Sequence, residues 1–377
     1  MATRDTVVQS LLFRLVTPLV AAAFAVVLTE VVVRGAYGWG NEVDPGMRVD
    51  GDLVQANFRA LYEYDSRLGW VPLDHARGFK GVPISTGPDG LRSNGRAHDL
   101  SSMRGQVLAL GDSFTFGDEV ADNGTWPAHL EKRLEDRAPA ASYQVLNGGV
   151  SSYGLDQMVL RAEALVPKYR PRIVIVSFIQ AGFERLRQTT RHGVPKPYFV
   201  VADDGLELQN VPTPRPTALN RYHQILLARS ALAQFAAQRA PRFVRNLLGA
   251  GTMAEHVRSG EPSATAIAGR LFERLTALQR AYDVELIILA HPTGAEDPLD
   301  DATRAILSSF GRTNDRARVV NAVEAIERYA ASKPEEAARF FHEDWPRHHM
   351  SSAGNAFIAE TVLPAVLTLL DARADSF

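Results

Sequence analysis

The chain contains no cysteine in 377 residues. Disulfides, thiol nucleophiles and thiolate metal sites are therefore excluded together, although the compartment stays open because exported proteins also do without cysteine. A charge excess of either sign is missing as well. Lys and Arg number 41 against 43 Asp and Glu, a net charge of -2, and the basic residues are scattered and form no stripe. That pattern gives a polyanion nothing to follow, so no nucleic-acid partner is expected. At Gly111, where a glycine-bearing turn follows an apolar strand-like run, the Gly-Lys-Ser/Thr ending of a Walker-type phosphate loop is absent. Hydride and phosphoryl chemistry leave no trace elsewhere, and no cofactor is implied.

What the chain does have begins at its N-terminus. From Leu15 to Val33 every residue is apolar or small except Thr17, Pro18, Thr29 and Glu30. About 19 residues at ~1.5 Å each give ~28 Å of helix, enough to cross a bilayer. Glu30 and Pro18 fall near opposite ends of the run, where a carboxylate reaches the interface and a proline interferes least. A cleaved signal peptide is the competing account, with Ala23-Phe24-Ala25 imitating a cleavage site, but the apolar run continues past it. Arg4 and Arg14 precede the span and Arg34 and Arg48 follow it, so charge leaves the orientation balanced. A short tail ahead of one long apolar segment reads as a signal-anchor. The expected arrangement is a single-pass protein of a bacterial cytoplasmic membrane with its main domain on the extracytoplasmic side.

Residues 35 to 104 are rich in Gly, Pro, Asp and Asn. Turn signals at Gly87-Pro88-Asp89-Gly90 and Ser93-Asn94-Gly95 predict a small appendage of short strands. From Gln106 onward, short apolar runs alternate with amphipathic stretches. Strands are expected at Val107 to Leu110, Tyr143 to Leu146, Ile173 to Phe178, Val284 to Leu289 and Arg318 to Val320. Helices are expected at Trp126 to Asp136, Gly154 to Tyr169, Thr265 to Tyr282, Asp300 to Gly311 and Ala353 to Leu370. The alternation specifies an α/β fold, a doubly wound parallel sheet that binds ligands at the carboxyl ends of its strands. Ser113, Ser152 and Ala181 each follow an expected strand and gather at that edge. Residues 183 to 262 interrupt the pattern as an insertion. A hairpin is expected from Tyr198-Phe199-Val200-Val201 and Leu206-Glu207-Leu208, followed by a helical arm over Tyr222 to Leu248 broken at Pro241.

The chemistry concentrates in three stretches. Gly111-Asp112-Ser113-Phe114-Thr115-Phe116-Gly117 puts a serine where a strand turns into a helix, with backbone N–H groups and a positive dipole end at hand. Asn147-Gly148-Gly149-Val150-Ser151-Ser152-Tyr153-Gly154 is a second glycine-rich turn. Near the C-terminus, Asp344-Trp345-Pro346-Arg347-His348-His349 brings a carboxylate and two histidines together before Gly354-Asn355. Serine early with Asp and His late is one of the chain orders that build a triad. A metal site made of His342, Asp344, His348 and His349 is the alternative for the last stretch, but no regular ligand spacing accompanies it.

These stretches resemble the SGNH or GDSL-type esterases and acyltransferases, over roughly residues 105 to 370. The first block, Gly-Asp-Ser, is Gly111-Asp112-Ser113. Counting back from Gly354-Asn355 selects His349 as the family's histidine, with His348 in reserve. Asp344 stands five residues before it where the family has three. Ser152 occupies the place of the second block's oxyanion-hole glycine. Ala181 occupies that of the third block's asparagine, with neighbouring Gln180 as the substitute donor. The resemblance implies a flavodoxin-like three-layer sandwich, a Ser113-His349-Asp344 triad and an oxyanion hole at the backbone N–H groups of Ser113 and Ser152. The expected organisation is a tail and anchor over 1–34, an appendage over 35–104 and a catalytic domain over 105–370. The expected activity is ester hydrolysis or O-acyl transfer on an acylated cell-envelope glycan, a lipid-type ester or a small ester-bearing molecule. A catalytically silent protein that uses the same fold to bind a glycan or a membrane partner is the reading from another class, and Ala181 is its support.

Overall fold

The computed structural model describes residues 4–37, 61–79, 82–96, 107–137, 143–191, 194–202, 205–215, 232, 263–295, 297–342 and 349–374. By internal contacts the chain divides into two units, Met1–Asp52 with Thr217–Gly251 and Leu53–Pro216 with Thr252–Phe377.

In the first unit, α1 (Arg4–Tyr37) is one continuous helix. Its segment Val16–Val33 is long and apolar enough to span a membrane, and Leu19, Val20, Phe24 and Val27 are exposed along it. Two polar side chains inside the run have hydrogen-bond partners. The Thr29 hydroxyl donates to Ala25 O at 2.7 Å, and Glu30 accepts the Leu232 backbone N–H at 2.9 Å. The arm expected over Tyr222 to Leu248 lies outside the described residues apart from Leu232, which is helical.

The second unit opens with two small antiparallel pairs, β1 (Tyr62–Asp65) with β2 (Gly69–Pro72) and β3 (Arg77–Phe79) with β4 (Pro83–Ser85). The main alternation follows with β5 (Val107–Leu110), α2 (Ser113–Phe116), α3 (Trp126–Arg137), β6 (Val145–Asn147), α4 (Leu155–Tyr169), β7 (Ile173–Phe178) and α5 (Gln180–Glu184). The short pair β8 (Thr190–Arg191) and β9 (Val194–Pro195) precedes the expected hairpin, which is present as β10 (Tyr198–Ala202) and β11 (Gly205–Gln209). The alternation resumes in α6 (Ala264–Tyr282), β12 (Glu285–Ala290), α7 (Asp301–Thr313), β13 (Ala317–Asn321), α8 (Ala322–Ser332), α9 (Pro334–Ala338) and α10 (Ser352–Ala374).

Five strands form a parallel sheet in the order β13-β12-β7-β5-β6. The chain begins at β5, steps out to β6 on one side and then winds through β7, β12 and β13 on the other. That places the topological switch point between β5 and β7. Strand side chains divide by the period of two. Leu108, Leu110, Val174, Val176, Leu286 and Ile288 face the layer containing α4, α6 and α7. Val107, Ala109, Ile173, Ile175, Ile287 and Leu289 face the layer of α3, α8 and α10. Covered on both faces, these strands bury every residue of β7 and β12, which is why their sequences read as continuous apolar runs.

Helix starts follow the capping residues. Ser263 accepts from Ala266 N, Asp300 from Thr303 N and Asn321 from Glu324 N. The C-terminal helix α10 is apolar enough over Ser352–Asp371 to cross a membrane by length alone. It is a core helix, because Ile358, Val362, Leu363, Val366 and Leu370 are buried against the sheet.

Candidate active site

The nucleophile candidate is placed by the turn from β5 into α2. Asp112 caps α2, its Oδ1 accepting the Phe114 N–H at 3.1 Å. Its Oδ2 receives Arg185 at 3.0 Å, and the same guanidinium nitrogen donates to Tyr153 O at 2.7 Å. Asp112 is 1% exposed. Burial pushes its carboxyl pKa up, while Arg185 and the Phe114 N–H work the other way. This pair joins the first glycine-rich turn to the second.

The second turn packs directly on α2. A Cβ on Gly149 would lie 2.3 Å from Phe116 N, so only glycine permits the approach. Asn147 fastens it, donating to Thr115 O at 2.8 Å and accepting the Gly149 N–H at 3.0 Å, while the Val150 N–H reaches Gly111 O at 3.0 Å. Ser152 follows with a left-handed backbone, φ 70°. The residues that the sequence groups as Ser113 and Ser152 therefore sit on two turns bonded to each other at the carboxyl edge of the sheet.

From the other end of the chain, His349 reaches this edge. Its Nε2 lies 3.0 Å from Ser113 Oγ. Its Nδ1 lies 3.2 Å from Glu119 Oε1. Ser113 is buried, whereas the side chains of His349 and Glu119 are 16% and 24% exposed. Phe114 packs beside the imidazole with ring centroids 4.9 Å apart. The first nitrogen is thus arranged to take a proton from a hydroxyl and the second to hold its own proton toward a carboxylate. Asp344 and His348 lie outside the described residues.

Glu119 escapes the sequence reading. It stands six residues after Ser113 in the loop that leaves α2, and no motif marks it. The available signal was the stretched Asp344 to His349 spacing, which asks whether a different carboxylate serves. The loop is a built one. Gly117 ends α2 at φ 82°, and Arg92, 1% exposed, donates to the carbonyls of Phe116 at 3.0 Å, Gly117 at 3.1 Å and Val120 at 2.9 Å. Asp118 Oδ1 accepts the Ser151 hydroxyl at 2.8 Å, and the Tyr62 hydroxyl lies 2.7 Å from the same Ser151 oxygen.

At the third turn the structure gives Gln180 other work. Its amide nitrogen donates to Asp300 Oδ2 at 3.0 Å and Thr303 Oγ1 at 3.3 Å, and its carbonyl accepts the Asp300 N–H at 3.3 Å. The amide expected to substitute for the missing asparagine is spent on the start of α7. Ala181 packs against the apolar cluster beneath the sheet. Phe114 also packs against His291, which follows β12. Its Nδ1 donates to Pro292 O at 2.8 Å, and its Nε2 is buried with no hydrogen-bond partner. Burial pulls its pKa down to about 4. Among the described residues no three His, Asp or Glu side chains gather in a way that would hold a metal ion.

Fold and site together define a doubly wound α/β protein with a serine and a histidine in hydrogen-bond contact at the switch point. No protein-family model matches the chain, and no curated protein matches it. Solved structures do. One is LAE5, an α/β hydrolase enzyme from the metagenome of Lake Arreo, Spain, at 17% identity over 70% of this chain and 96% of that one, with a TM-score of 0.39. A variant of Axe2, an acetyl-xylooligosaccharide esterase from Geobacillus, matches at 15% identity over 70% and 94%, TM-score 0.41. A member of the lipolytic G-D-S-L family from Veillonella parvula matches at 9% identity over 69% and 97%, TM-score 0.37.

Proposed function

We propose that this protein is a serine-dependent ester hydrolase or O-acyltransferase. The observation that carries the reading is the 3.0 Å contact between Ser113 Oγ and His349 Nε2 at the carboxyl edge of the sheet. Ser113 Oγ gives its proton to His349 Nε2 and attacks the ester carbonyl. The oxyanion is held by the backbone N–H groups of Ser113 and Ser152. His349 then returns the proton to the departing alcohol, leaving an acyl group on Ser113. Water or a sugar hydroxyl, deprotonated by His349, takes the acyl group and restores Ser113. A carboxylate behind His349 completes the set, and the sequence nominates Asp344 for that role.

Membrane attachment through residues 15–33, with the catalytic unit on the extracytoplasmic side, suits an acylated envelope glycan or a lipid-type ester as substrate. Ala181 and the commitment of Gln180 to Asp300 favour a second reading, a silent protein that binds such a glycan without turning it over. The two part on one experiment. Full-length protein in detergent is given p-nitrophenyl acetate beside its Ser113→Ala variant. Release of p-nitrophenol that vanishes in the variant supports the enzyme. Equal rates from two folded proteins support the binder.

A further inference from the structure

We infer that Glu119 is the residue that positions His349, so that the acid of the triad comes from the loop just past the nucleophile. The inference rests on the reading of Ser113 as nucleophile and deepens it. Its first support is direct geometry, the 3.2 Å separation of Glu119 Oε1 from His349 Nδ1 with Ser113 Oγ 3.0 Å from the opposite nitrogen. A carboxylate at Nδ1 keeps the proton there and leaves the Nε2 lone pair facing the hydroxyl, which is the tautomer a general base requires.

Its second support is the backbone. Glu119 adopts φ 71°, a left-handed conformation that a glutamate occupies only when its surroundings enforce it. The enforcement is visible on both sides. Arg92 holds the carbonyls of Phe116, Gly117 and Val120, and Ser151 holds Asp118. The loop is therefore fixed by neighbours of Glu119, while the Glu119 carboxylate itself is turned to the imidazole. Phe114 packs beside the ring, adding an apolar contact to the two polar ones at its nitrogens.

A carboxylate at that position stabilises the imidazolium that forms when the base takes the hydroxyl proton. Asp112, paired with Arg185, and the neutral His291 also act on His349 electrostatically. Both are untouched by a change at Glu119.

The test compares full-length wild type in detergent with Ser113→Ala, Glu119→Gln, Glu119→Asp and Asp344→Asn. Two readouts are followed from pH 5 to 9, the rate of Ser113 labelling by a fluorophosphonate and the hydrolysis of p-nitrophenyl acetate. Glu119→Gln is expected to lower kcat about 10²- to 10⁴-fold with little change in KM. The acid limb of its kcat/KM profile is expected to move to lower pH, since that limb reports the base in the free enzyme. Glu119→Asp recovers part of the rate, and Asp344→Asn loses less than Glu119→Gln. A loss in Asp344→Asn equal to or larger than that in Glu119→Gln overturns the inference. So does a Glu119→Gln enzyme with full rate, or one whose rate falls while its acid limb stays in place. Labelling that depends on Ser113 but ignores Glu119 removes only this inference. A folded wild type that neither labels nor turns over removes the Ser113 reading and this inference with it.

Discussion

Phe114 packs against two histidines, at nearly equal distance and tilt. Ring centroids are 4.9 Å and 55° from His349 and 5.0 Å and 53° from His291. Chemically the two rings are the same, yet one is partly open with polar partners and the other is closed in. His349 meets a hydroxyl and a carboxylate at a partly exposed edge. His291 is 1% exposed, offers one N–H to a carbonyl and leaves its other nitrogen unmatched. Near pH 7 His291 is a neutral, packed side chain, because burial holds its pKa near 4. The difference between the two imidazoles lies in environment, not in residue type.

The comparison breaks first, and by the largest margin, at His349. His349→Ala is expected to cut turnover by about 10⁴- to 10⁶-fold. The same change lowers the unfolding free energy only slightly, by less than about 1 kcal/mol, since it removes a partly exposed side chain. Turnover and urea titrations on one preparation check both halves. Next comes the buried Asp112–Arg185 pair. Arg185→Met leaves the buried Asp112 carboxylate without its cation and is expected to cost about 3–5 kcal/mol in urea unfolding.

Smaller again is the acid sensitivity of the closed-in histidine. The native pKa of His291, about 4, lies below its ordinary 6.5, so as pH falls the unfolded chain takes up the proton first. Stability present above about pH 6.5 is therefore lost progressively toward pH 4, by about 2 kcal/mol between pH 7 and 5. His291→Phe is expected to flatten that slope, and unfolding midpoints at the two pH values check it. An exposed pair gives the smallest effect. Arg270→Ala, which removes the 2.9 Å contact to Glu273 between half-open side chains, is expected to change stability by no more than about 0.5 kcal/mol.

The parts of this arrangement legible in the sequence are those set by local pattern. Continuous apolar runs marked all five strands of the sheet, with ends displaced by one or two residues at β6, β12 and β13. The alternation of Tyr198 to Leu208 around a Gly-bearing turn marked the β10–β11 hairpin. Strand ends also grouped Ser113 with Ser152. The helices α8 and α9 were missed, because Ala322 to Ala338 follows β13 without a break and its starting signal is one asparagine. Gln180 was given a free amide, since nothing local reveals that Asp300, 120 residues away, would engage it. Glu119 was missed for a related reason. Its left-handed φ and its approach to His349 arise from Arg92, Ser151 and Phe114, each contributed by a different stretch of chain.

The way His349 is anchored bears on how this region tolerates change. Phe341 pairs with Met350, the His342 N–H reaches His349 O at 3.1 Å, and the Ser351 N–H reaches Phe340 O at 2.9 Å. Asn355 ties the same place to α3, accepting the Trp126 N–H at 2.9 Å and donating to Met350 O at 3.1 Å. The backbone that carries His349 is thus held from both flanks. A change at a polar partner of the imidazole leaves that attachment in place, so a loss of turnover there reports on the ring's chemistry and not on a displaced backbone.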